Sequence, residues 1–196
     1  MSYKIKAIAT LMGSREIATA TASSYNVVYG LVIEKERMTQ QQDLAKELST
    51  LATTADSVED LMSIMVGRLA ERLPHYNWVG FYMIEKGGAG EPPMLALGPY
   101  VGAVTPHTRI PLNQGICGAA VTTGRTVIVD DVNSDPRYLA CSIETKSEIV
   151  VPIRVKGEVV GELDIDSHTP AAFTADDRQL VEHCARLIGF YLEKTT

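Results

Sequence analysis

Hydrophobic positions along this chain keep two different rhythms. From about Asp43, Leu44, Leu48 and Leu51 recur at helical spacing, and a second helix follows a turn, with Ser57 as N-cap and Asp60 three residues on. Its apolar stripe is Val58, Leu61, Met62, Met65, Val66 and Leu69, and Pro74 closes it. The rhythm then shortens to two. "NWVGFYMIE" (77–85) is aromatic and β-branched, and short strands are expected at 94–98, 107–111 and 125–132. "GICGAAVTTG" (115–124) suits a short helix with Gly124 just past its end. "SEIVVPIRV" and "EVVGELDID" flank Lys156-Gly157, a hairpin signal. A last helix runs from Thr174, with Asp177 at its third position, to about Lys194.

Helices, then strands and hairpins, then a closing helix predict an α+β architecture around an antiparallel sheet. Residues 1–37 stand apart as an N-terminal extension, and 38–196 read as one folded domain. Within the extension, "YNVVYGLVIEKERM" has the composition of a strand but no partner signal nearby.

Composition narrows the function classes. Hydrophobic residues are 45% and charged residues 21%, enough apolar material for a core. A net charge of −6 without a basic face argues against nucleic acid. No stretch is long and apolar enough for a membrane span, and Arg15 and Glu16 interrupt any secretory signal, so a cytoplasmic protein is expected. The three cysteines (Cys117, Cys141, Cys184) and four histidines lack zinc-site spacing; no metal or cofactor is expected.

Candidate chemistry gathers on the last two strands. Strand alternation puts Asp164 and Asp166 on one sheet face and Ile165 on the other. Glu148 opens the preceding strand, and Cys141 sits in the polar loop before it. Facing inward, such an acidic pair is costly unless a ligand satisfies it; the alternative is a hairpin edge exposed to water. On residues alone, Cys141 is either a reactive thiol or a small gap-filler. Cys117 either packs or reacts, and Trp78 and Tyr82 either line a pocket or fill a core.

"NWVGFY", "GICGAAV", "DDV", "SEIVVPI" and "GELDIDS" fall in the order and spacing of a GAF domain, and the chain resembles the free methionine-R-sulfoxide reductases over roughly residues 40–193. The resemblance implies a GAF-like fold, a six-stranded antiparallel sheet flanked by helices, and reduction of free methionine-R-sulfoxide. It assigns Cys141 as the catalytic thiol, Glu148, Asp164 and Asp166 as catalytic carboxyls, and Trp78 and Tyr82 as substrate-binding. Cys117 becomes a candidate resolving thiol, with thioredoxin or a small thiol as reductant and a homodimer as the assembly. One departure stands out: where the family has a further cysteine, this chain has His107, in "VTPHTRIP". The rival reading is a non-catalytic GAF sensor that binds an amino-acid-like ligand or responds to oxidation.

Overall fold

The computed structural model describes residues 22–88, 90–139 and 142–195. The chain divides into two units at Asp43/Leu44. Helix α1 spans Ala22–Leu51, so residues 25–38, read as a strand from their composition, are helical. A strand needs a neighbour to satisfy its backbone, whereas a helix satisfies its own, and Glu34–Met38 and Gln40–Gln42 are good helix formers. The helix runs unbroken through position 38, where the sequence reading set its domain boundary.

In the second unit, helix α2 (Val58–Arg72) starts as expected: the Ser57 hydroxyl accepts from the Asp60 amide at 3.0 Å. Strands β1 (Trp78–Glu85), β2 (Met94–Val101) and β3 (Arg109–Pro111) follow, then helix α3 (Gly115–Thr123), which ends on Gly124 in the left-handed region, φ 63°. Strand β4 (Val127–Val129) is shorter than the expected 125–132 because only these three residues pair with β5. A 3₁₀ turn at Val132–Ser134 takes the chain away from the sheet. Strands β5 (Ser147–Val155) and β6 (Glu158–Ser167) form the hairpin, with Lys156 and Gly157 both at positive φ, as a tight two-residue turn requires. Helix α4 (Ala175–Thr195) closes the fold. None of the described helices is long and apolar enough to cross a membrane.

The six strands make one antiparallel sheet in the order β3-β2-β1-β6-β5-β4. The central pair, β1 and β6, puts Trp78 opposite Asp166, Gly80 opposite Asp164 and Tyr82 opposite Glu162. Period-two alternation then sorts the strand residues. Val79, Phe81, Ile149, Val151, Ile153, Leu163 and Ile165 pack against the buried stripes of α2 and α4. Trp78, Tyr82, Leu95, Ile110, Val129 and Val150 face the other way, under Ile116, Cys117, Ala120 and Val121 of α3.

The start of α4 is pinned by a buried carboxylate. Asp177 accepts from the Thr174 amide (2.8 Å) and hydroxyl (2.6 Å) and from the Tyr76 hydroxyl (3.1 Å), and lies 3.1 Å from His75 Nε2. Its own amide donates back to Thr174 Oγ1, a reciprocal cap.

Candidate active site

The α3-side face of the sheet carries a group of carboxyls with almost no solvent. Glu148 is 5% exposed, Asp164 2%, Asp166 4% and Glu162 0%. Glu148 sits directly across the β5–β6 ladder from Asp166, and Val150 across from Asp164. The sequence reading joined Glu148, Asp164 and Asp166, and the fold brings them together. It missed Glu162, although the same alternation that pairs 164 with 166 extends back to it.

α3 lays Cys117 over these carboxyls: its thiol donates to Asp164 Oδ2 at 3.7 Å. One atom each of Cys117, Glu148 and Asp164 lie within 4.8 Å of one another. Gly118 lets α3 fold back on the loop that precedes it, since a Cβ there would overlap the Leu112 carbonyl. Both carboxyl oxygens of Glu162 and Oδ1 of Asp164 are buried with no hydrogen-bond partner.

Burial is the main force on these groups. It raises Glu162 to about 8, held back slightly by Cys117, and Asp166 to about 7, held back by Thr145. Glu148 and Asp164 are pushed well above the carboxylate range, first by burial and then by the neighbouring acids. The Cys117 thiol is raised by burial and then by Asp164, Glu162 and Glu148, so it holds its proton firmly. Burial on this face therefore favours neutral acids over a set of negative charges.

Aromatic rings wall the face. Trp78 stacks with Tyr82 (centroids 6.2 Å apart) and Tyr100 (5.6 Å), and its indole donates to the Ala103 carbonyl at 3.1 Å. Gly80 lies under the Trp78 ring, where any Cβ would collide with it. The Tyr82 hydroxyl donates to the His107 carbonyl at 2.8 Å, so the position where the family has a cysteine adjoins the aromatic wall. A small cavity of about 70 Å³ is lined by Asn77, Trp78, Thr105, Ser142, Thr145 and Asp166, among others.

Cys141 lies outside the described residues. Its chain neighbour Ser142 lines that cavity together with Asp166. Cys184 is buried in the helical core, its thiol raised to about 12 by burial, and His183 lies 2.8 Å from the Ser49 hydroxyl. Both belong to packing.

An antiparallel sheet with helices on both faces and a buried acidic face under one of them defines a class, and comparison with known proteins places the chain in it. The GAF domain family model matches residues 48–192. The chain is 38% identical over 150 residues to the free methionine-R-sulfoxide reductase of Escherichia coli, covering 74% of this chain and 82% of that protein. Among solved structures, it matches the free methionine-R-sulfoxide reductase of Neisseria meningitidis in complex with its substrate. The TM-score is 0.74 and identity 29%, covering 80% of this chain and 90% of that one. The type II free methionine-R-sulfoxide reductase of Thermoplasma acidophilum matches with TM-score 0.64 and 39% identity, covering 75% and 96%. The chain is a GAF domain protein. Within that family it belongs with the free methionine-R-sulfoxide reductases.

Proposed function

We propose that this protein reduces free methionine-R-sulfoxide to methionine, with Cys141 as the attacking thiol. One observation carries the reading: Glu148, Asp164 and Asp166 share a nearly dry sheet face beside Trp78 and Tyr82, and charging them requires a cation. A free amino acid brings an ammonium for the aspartates, and its sulfoxide methyl suits an aromatic wall. Relatives of this chain act on that substrate by name.

In this reading Asp164 and Asp166 hold the ammonium, and Glu148, kept protonated by burial, hydrogen-bonds the sulfoxide oxygen. The Cys141 sulfur attacks the sulfoxide sulfur as Glu148 gives the oxygen a proton. The oxygen then passes to Cys141, the S–O bond of the substrate breaks, and the thiol proton returns to Glu148. Methionine leaves, reduced by two electrons, and Cys141 is oxidised to a sulfenic acid. Direct attack of thioredoxin or a small thiol on that sulfenic acid is the favoured return route. Cys117 is buried and its raised pKa makes it a poor nucleophile for the alternative, an internal disulfide.

A single-turnover assay tests this. Reduced protein without reductant is expected to release one methionine per chain from the R sulfoxide and none from the S form, and Cys141→Ser to release none. Binding of the sulfoxide without release of methionine would overturn the enzyme and leave a sensor.

A further inference from the structure

We infer that the face formed by Cys117, Glu148 and Asp164 is also a binding site for a thiophilic divalent cation of the Zn²⁺ class. No local spacing announces it, because its ligands come from three separate elements, α3, β5 and β6. The fold brings one sulfur and two carboxylate oxygens within 4.8 Å of each other, all buried. A tetrahedral zinc with Zn–S of about 2.3 Å and Zn–O of about 2.1 Å sets its ligand atoms roughly 3.6 Å apart. The Cys117–Asp164 separation is already 3.7 Å.

An independent observation points to a cation at this face. Asp164 Oδ1 and both oxygens of Glu162 are buried without a partner, on the same face as Cys117. Buried polar oxygens are normally paired, and three orphans beside one thiol mark a place where a positive group belongs. Donor chemistry then selects the ion. Ca²⁺ asks for six to eight oxygens, and Mg²⁺ keeps several waters, neither of which suits a nearly dry site with a sulfur donor. Borderline-soft Zn²⁺ accepts a thiolate and carboxylates together in a four-coordinate site. As the Zn–S bond forms, Cys117 gives its proton to solvent, and Glu162 stands beside it as a further free carboxyl. If the function proposed above holds, the ion occupies carboxyls that the substrate needs, and the two exclude each other.

Co²⁺, a coloured stand-in for Zn²⁺, tests the site directly. Reduced, full-length protein titrated with Co²⁺ is expected to develop a thiolate-to-cobalt charge-transfer band that saturates at one ion per chain and is abolished by one equivalent of Zn²⁺. Cys117→Ser should abolish the band, and Asp164→Asn should weaken Co²⁺ binding by at least ~100-fold, since even the loss of an outer-shell partner costs 10- to 100-fold. Cys184→Ser and Cys141→Ser should keep the band. Far-ultraviolet circular dichroism checks that each variant is folded, and Cys117→Ala replaces the serine variant if it is not. No band, a band that survives the loss of Cys117, or one lost with Cys141 overturns the site. A normal band that methionine-R-sulfoxide fails to displace leaves the ion site standing and overturns the substrate's use of these carboxyls.

Discussion

The two faces of this sheet come from the same strands and differ in almost everything else. Toward α2 and α4, Val79, Phe81, Ile149, Val151, Leu163 and Ile165 build a core to which the sheet adds no buried carboxyl, only the hydroxyls of Ser147 and Ser167 at its edge. Toward α3, Glu148, Glu162, Asp164 and Asp166 alternate with them at period two, among Trp78, Tyr82 and Val150. One face holds the fold together, and the other carries a standing cost that a ligand can offset. Asp177 sharpens the contrast. It is as buried as Glu162, yet it accepts from Thr174 and Tyr76 and sits against His75, whereas Glu162 has only the weak donor of the Cys117 thiol beside it. A satisfied buried carboxylate secures structure; an unsatisfied one advertises a site.

That contrast makes measurable demands. Phe81→Ala, on the apolar face, is expected to lower unfolding free energy by about 3–5 kcal/mol, measured by urea denaturation. A loss below about 1 kcal/mol would mean that this face is not the principal core. Asp177→Ala should cost about 3 kcal/mol, because it strips partners from Tyr76 and Thr174 and uncaps α4.

The opposite sign is expected for Glu162→Gln above neutral pH. Burial raises this carboxyl from 4.5 to about 8. Between those values the folded protein keeps a proton that the unfolded chain has released, so stability falls as pH rises through that window and levels off above about 8. Asp166, raised to about 7, adds to the same slope from lower pH. With chelator present and no substrate, the wild-type melting temperature should therefore fall from pH 5 to pH 8. Glu162→Gln should flatten that fall and be the more stable protein at pH 8, by a few kcal/mol. Parallel pH curves for the two proteins would show that Glu162 does not titrate in this range.

Much of this was legible in local sequence. The β5–β6 hairpin announced itself through Lys156-Gly157, and the caps at Ser57 and Gly124 stand where the residue types put them. What escaped depends on partners distant in the chain. Residues 25–38 carry β-type residues, but with no strand to pair with them the helix prevails. Thr126, Asp130 and Asp131 flank an apolar run in which only three residues find a ladder. Glu162 was readable in "GELDIDS" once the alternation is followed one step back. The approach of Cys117 to Glu148 and Asp164 was not, since nothing in the spacing of α3, β5 and β6 fixes how the helix lies on the sheet.

All four carboxyls of the α3-side face belong to one hairpin, Ser147–Ser167, while the β1 strand that completes the face joins it from far earlier in the chain. Contacts close in sequence form sooner than distant ones. The chain thus assembles its acids on the hairpin first, with Glu148 directly opposite Asp166 and like charges facing across the ladder. Alkaline conditions are accordingly expected to slow refolding more than they hasten unfolding, which stopped-flow refolding and unfolding rates compared at pH 6 and pH 9 would show. A protein that is slow to renew itself in mild base, yet persists once folded, is the kinetic signature of placing a whole acidic site on a single turn of chain.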